Sequence, residues 1–147
     1  MKIDNAAIEQ LFLNARTANG FLDKPVPASL LQDIYDIAKM GATSMNAQPT
    51  RYVFLTSPAA KARLMPALSP GNVVKTESAP VCVIVATDNQ FYEHMPVVFP
   101  NNPGAKALFE GNAALAQGTA TRNGTLGGAY FMIAARALGL DCGPMSG

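Results

Sequence analysis

The chain has no tryptophan, one histidine, two cysteines and few charges. Each scarcity removes a class of function. Charged residues make up 14% of the chain, against roughly 25% in an ordinary domain. The net charge is +1 and the 11 basic residues are scattered. That argues against nucleic acid as a partner, because neutralising phosphates takes clustered Lys and Arg. A lone His94 among dispersed acids, with no HExxH and no helical Glu-x-x-His, argues against a metal site. The cysteines form no CxxC pair: Cys82 lies in PVCVIVA and Cys142 in a Gly-Pro loop. They read as buried structural thiols and suit a reducing cytoplasm. No run reaches the roughly 20 apolar residues of a membrane span, so no membrane partner is expected. The N-terminus MKIDNAAIEQ lacks a signal-peptide core. Walker, GxGxxG and GxSxG motifs are missing too, and no serine makes a convincing triad with His94.

What remains is apolar. Hydrophobic residues are 49% of 147, enough for one domain over 1–147 with a sizeable core. So apolar and charge-poor a chain is expected to bury one face in an oligomer.

Residues 5–16 carry Ile8, Leu11, Phe12 and Ala15 at helical spacing, ending before the Asn19-Gly20 turn. A second helix is predicted from about Ala28 to Met40, with Pro27 suiting its start. RYVFLT, residues 51–56, reads as a strand. Pro58 opens a short helix, and residues 69–79 give another helical turn. APVCVIVAT, continuously apolar, reads as a buried strand. Residues 90–111, broken by Pro96, Pro100 and Pro103, are predicted irregular. Their apolar run from Phe91 to Phe99 suits a flap over a pocket or a contact with a partner chain. Residues 112–138 read as one long helix carrying Gly118, Gly124, Gly127 and Gly128. Each glycine costs about 1 kcal/mol against alanine, which suggests close backbone approach to a helix or a flat ligand.

No side-chain constellation carries a reaction, so a bound cofactor is the natural chemist. A flavin would use the scattered polar groups. Arg16 and Thr17 at a helix end could take its phosphate, although a helix C-terminus favours a cation anyway. ATSMNAQPTRYVFL, residues 42–55, sets Thr43, Ser44, Asn46 and Gln48 at the mouth of a strand. These suit a flavin edge, or equally Asx-turn and capping chemistry. GPMSG offers unhindered backbone N–H groups at Gly143 and Gly147, or simply a tight turn.

Together these stretches resemble the FMN-dependent nitroreductase family. ARTANGF resembles its RRSxRxF phosphate segment, with Ala15 and Asn19 replacing two arginines and Arg16 and Thr17 matching. ATSMNAQPTRYVF resembles PSxxNxQPW, with Thr50 where tryptophan is common. LGLDCGPMSG resembles the segment that passes the flavin N5 edge. The wider pattern, which includes SPGN--KT--AP and FYE--P--FP, looks like the malonic semialdehyde reductase branch of pyrimidine catabolism.

The resemblance implies an α+β fold, a mixed sheet flanked by helices, and an intertwined homodimer with FMN at the seam. Thr43, Ser44, Asn46 and Gln48 would reach a flavin held mainly by the other chain through Arg16, Thr17 and Asn19. Pro144, Met145, Ser146 and Gly147 would line it, with backbone N–H groups near Ser146 or Gly147 polarising N5. The implied activity is a ping-pong exchange. NADH or NADPH delivers hydride at N5, and an acceptor takes it up: malonic semialdehyde (to 3-hydroxypropanoate), a nitroaromatic or a quinone. Members of the family run about fifty residues further, so the chain is expected to lack the C-terminal part of the usual domain. The rival reading is a non-catalytic flavin-binding or oligomeric scaffold. Reductive dehalogenation is a second rival, which would need a lid larger than residues 90–110.

Overall fold

In the computed structural model, which describes residues 1–146, the two runs rich in β-branched and aromatic residues form strands β1 (Thr50–Leu55) and β2 (Cys82–Thr87). They pair antiparallel, from Thr50 opposite Thr87 to Leu55 opposite Cys82. Among the described residues this pair is the whole sheet, where the resemblance implied a mixed one. With the helices the fold class is α+β.

Helix α1 (Asn5–Ile8) is capped by Asp4, whose carboxylate accepts the Ala7 N–H at 2.7 Å. It widens into a π-helical turn over Glu9–Leu13, closed by Asn14 N–H on Glu9 O at 2.9 Å. The predicted helix to residue 16 therefore stops early. The widened turn is tied down from outside: Gln10 Nε2 donates to Arg136 O at 2.6 Å. Helix α2 (Ala28–Ala38) ends short of Met40, because Met40 N–H tightens onto Ile37 O. Helices α3 (Pro58–Leu64) and α4 (Pro70–Ser78) connect the strands.

The segment predicted irregular is mostly helical: a 3₁₀ turn at Phe91–His94, then α5 (Met95–Val98) and α6 (Ala105–Glu110). Pro96 does not break it, because it stands in the first turn of α5, where no intrahelical N–H is needed. Nor are its apolar residues a loose flap. Phe91 and Met95 are fully buried in a core with Ala47, Phe109, Ala116 and Ala120, and the Phe91 and Phe109 rings meet edge-on at 5.0 Å. Of the large hydrophobes there, Val97 at 82% and Leu108 at 52% stay open to solvent.

Helix α7 (Ala113–Ala137) is capped by Asn112 and closed by Gly139 at φ +83°, with Leu140 N–H on Ala135 O and Gly139 N–H on Arg136 O. That is a Schellman end, and it requires glycine. A second core joins α7 to α2 through Phe131, Ala134, Leu31 and Ile34, with Tyr52 stacked on Phe131 at 4.8 Å. The α7 glycines divide in two. A Cβ on Gly127 would collide with Thr50 Oγ1, and one on Gly124 would lie 2.5 Å from Thr87 Oγ1. Gly118 and Gly128 meet nothing closer than 3.5 Å. Close approach is thus real at two positions, and the neighbour is the Thr50–Thr87 end of the ladder rather than a helix or a ligand.

Strand β2 differs from its predicted burial. Cys82 and Val83 are half-buried, and Ile84 to Thr87 are exposed. A two-stranded sheet covered by α7 on one face leaves the rest of an edge strand open. Both cysteines are free and half-buried rather than fully buried. Burial pushes the Cys82 and Cys142 thiols above their usual value of 9.0. Alkylation at pH 8 should therefore be several-fold slower than for a free cysteine peptide, which a timed thiol titration would read. Because folding favours the protonated thiols, their contribution to stability is full below the unfolded value. It falls as pH rises beyond it, visible in denaturant midpoints.

Candidate functional site

The stretch between Ala42 and β1 is a strained loop with a short 3₁₀ turn at Ser44–Asn46. Met45, Asn46 and Gln48 have φ of +52°, +51° and +40°. Left-handed backbone at a non-glycine residue costs on the order of 1–3 kcal/mol and persists only where neighbours enforce it. Here they do. Ser44 N–H donates to Asn123 Oδ1 of α7 at 2.8 Å, and Asn46 Nδ2 donates to Val98 O of α5 at 2.6 Å. Gln48 Nε2 donates to Asn46 Oδ1 at 2.6 Å, and Gln48 N–H to Thr43 Oγ1 at 3.2 Å. At the far side Arg51 Nη1 donates to Gln48 O at 2.9 Å, and its Nη2 pairs with Asp88 at 2.7 Å. Asp88 N–H in turn donates to Pro49 O. Thr43, Ser44, Asn46 and Gln48 are brought together, as the sequence suggests.

The second polar group joins two distant segments. Ala18 N–H donates to Cys142 O at 3.0 Å, so the Arg16–Asn19 loop lies along the Cys142–Ser146 segment. Gly143 makes that approach possible: a Cβ there would stand 2.5 Å from Ala18 O. Arg16 is exposed and uses Nη1 to hold Leu13 O and Ala15 O, both at 2.8 Å, finishing the first helix. Thr17 and Asn19 are exposed beside it. Lys75 of α4 reaches Asn19 Oδ1 at 3.5 Å, and Thr76 of α4 meets Met145 Sδ at 3.7 Å. Pro144 and Ser146 are exposed. Gly147 lies outside the described residues.

Among the described residues the two groups do not meet. They sit near opposite ends of the β1–β2 ladder, whose five residue steps span roughly 17 Å. Along α7, Asn123 holds one group, and Met132 O receives Cys142 Sγ of the other. Those residues stand roughly 14 Å apart at 1.5 Å per residue.

Beside the strained loop lies an open groove of about 830 Å³ between α2, β1 and α5. Tyr35, Gln48, Tyr52, Phe54, His94 and Val98 are among the residues that line it. His94 is 62% exposed at its rim and 4.0 Å from Asp88 Oδ2, with no closer tie to either polar group. Sequence reasoning assigned no role to Lys75, Arg51, Asp88 or Asn123. Asn123 alone carried a readable signal: a polar amide at a core position of an almost uncharged helix. The other three are ordinary surface residues until the fold pairs them. Among the described residues no group of three His, Cys, Asp or Glu could hold a metal, and no helix is long and apolar enough to cross a membrane.

Comparison with known proteins is consistent with this arrangement. The pattern of the Nitroreductase family matches residues 12–147. A Stenotrophomonas maltophilia protein with the provisional name NADH dehydrogenase/NAD(P)H nitroreductase is 58% identical over 145 residues, covering 99% of this chain and 74% of its own length. A Cupriavidus pinatubonensis protein of the same provisional name is 52% identical, over 97% of this chain and 74% of its own. A Bacillus subtilis structure provisionally named a nitroreductase superposes with TM-score 0.82 at 22% identity, over 95% of this chain and 75% of its own. A similarly named Exiguobacterium sibiricum structure, solved with FMN, gives 0.78 at 20% identity, over 95% and 74%. These structural likenesses establish the fold. The family's sequence pattern runs through both polar groups, and relatives above half identity share it; this chain belongs to the nitroreductase family, a family of oxidoreductases.

Proposed function

We propose that the chain is an FMN-dependent NAD(P)H oxidoreductase, built as one domain that works as a homodimer in the cytoplasm. The observation that carries this is the strained loop: three left-handed non-glycine residues held by bonds from α5, α7 and β1, presenting Asn46 and Gln48 beside a large groove. Strain of this kind is kept where a ligand needs a preset shape.

The donor set fits FMN. Arg16 and Lys75 supply cations for a phosphate monoester, and Thr17 and Asn19 add neutral partners. Thr43, Ser44, Asn46 and Gln48 supply amide and hydroxyl groups for the polar edge of the ring system. The Pro144–Gly147 backbone, which Gly143 lets approach the Arg16–Asn19 loop, would lie along the ring near N5. When bound, FMN supplies the hydride chemistry that no side chain here can perform. The protein's part is to bind, to orient and to exclude water. The separation of the two polar groups supports the homodimer: the loop of one copy would complete a site whose phosphate end belongs to the other.

The acceptor is a small molecule: an aldehyde such as malonic semialdehyde, which would place the chain in pyrimidine catabolism, or a nitroaromatic or quinone. Tyr35, Tyr52 and Phe54 along the groove favour the planar acceptors. The test is an absorbance spectrum with FMN added, followed anaerobically by NADH or NADPH. Bound-flavin bands that bleach are the expected result. Bound flavin that never bleaches would indicate a carrier, and failure to bind FMN would overturn the reading.

A further inference from the structure

Asn123 is an unexpected residue where it stands. It lies in the middle of α7, only 4% exposed, between Ala120 and Gly124, which are also buried. Asparagine is a poor helix former, and a buried amide is costly unless both its ends are satisfied. Both are. Its Nδ2 donates to Thr119 O at 2.8 Å, one turn back along the helix. Its Oδ1 accepts the Ser44 N–H at 2.8 Å, 79 residues away in sequence. The first bond adds nothing to the helix, because that carbonyl already serves the backbone. Its effect is to turn the amide so that its oxygen faces out of α7 toward the loop. The second bond seizes the N–H immediately before Met45, where the backbone crosses into the left-handed region.

We propose that Asn123 is a positioning residue: through Ser44 it sets the left-handed shape of residues 43–48 and so the placement of Asn46 and Gln48. It touches neither ligand nor reacting atoms. Three further contacts hold the exit of the loop. Asn46 reaches Val98 O, Arg51 reaches Gln48 O, and Asp88 N–H reaches Pro49 O. All three act on residues 46–49, from the last residue of the turn onward. On the entry side Tyr130 Oη donates to Ala42 O at 2.8 Å and Asn123 takes the Ser44 N–H. Asn123 is thus the contact that grips the backbone immediately before Met45, and its loss would loosen the entry of the loop while leaving the exit fixed. That the loop serves a flavin rests on the function proposed above; that Asn123 shapes it does not.

The test is a double-mutant cycle read in the protein without added cofactor. Asn123→Ala removes the acceptor. Ser44→Pro removes the donor, and it suits the backbone because Thr43 is already extended at φ −131°, ψ 157°, and Ser44 opens the turn. Amide hydrogen exchange at Met45–Gln48 is followed against exchange in α7 and the β1–β2 ladder. Each single variant should speed exchange in the loop at least tenfold and leave the ladder unchanged, and the double variant should add little beyond either one. Additive effects, or an unchanged loop, would overturn the proposal. Equal loosening of loop and ladder in Asn123→Ala would assign the residue a purely structural role. Asn123→Asp is the rescue arm, because its protonated carboxyl can both donate to Thr119 O and accept from Ser44. Taken relative to each amide's intrinsic exchange rate, loop protection should return at acidic pH. Once ionised, the carboxylate can no longer donate to Thr119 O and loses the orientation that aims it at Ser44, so the loop should loosen while the ladder stays protected. FMN affinity is measured in parallel. If the parent protein binds no FMN, the flavin reading fails while the exchange data still decide this one.

Discussion

Gly127→Ala is expected to lower the melting temperature by roughly 10 °C, corresponding to about 3 kcal/mol in a chain of this size. The new Cβ would fall on Thr50 Oγ1 and within 2.7 Å of Thr50 Cβ. Thr50 cannot easily give way: it begins β1 opposite Thr87, and its hydroxyl reaches Gly124 O. Either α7 shifts off the ladder or β1 moves, and both loosen the stack of Tyr52 on Phe131. The control is Gly118→Ala on the same helix. Its Cβ would meet nothing nearer than Arg122 Nη1 at 3.5 Å, so it should gain about 0.5–1 kcal/mol from helix propensity. Thermal melts of the two variants should move in opposite directions. Adding Thr50→Ala to Gly127→Ala should recover only part of the loss, since the Thr50 Cβ stays in place.

Arg16→Ala is expected to weaken FMN binding by about 1.5–3 kcal/mol, roughly 10- to 150-fold, if its guanidinium meets the phosphate. Arg16→Lys should fall between, keeping the charge and losing the fork. Arg16 also holds Leu13 O and Ala15 O, so its removal exposes a helix end as well. A flavin titration and a thermal melt separate the two effects. Lost affinity with a nearly unchanged melt supports the phosphate role. Unchanged affinity removes Arg16 from the site. Lys75→Ala should weaken FMN binding less than Arg16→Ala, because a lysine is a point charge without a fork.

The elements were legible wherever local chemistry decides them. β1 and β2 follow from their β-branched and aromatic runs, and α7 from a stretch of helical length between Asn112 and Gly139 charged only at Arg122 and Arg136. Residues 90–111 misled because prolines read as breakers, whereas Pro96 opens a helix and the aromatics beside it fill a core with α6 and α7. The four glycines of α7 look alike in sequence, yet only Gly124 and Gly127 face the threonines of the ladder. The residue types of the candidate site could be listed in advance. Their division into two groups could not, because it depends on which end of the sheet each loop reaches.

The sequence by itself determined the family, both strands, the longer helices and the polar inventory, since these rest on residue type and spacing along the chain. Only the tertiary structure decided that three non-glycine residues are forced left-handed, that Lys75 joins Asn19, and that a buried Asn123 grips Ser44 across 79 residues. Each of these is a bond between segments far apart in sequence. Its energy appears only once both segments are packed into place.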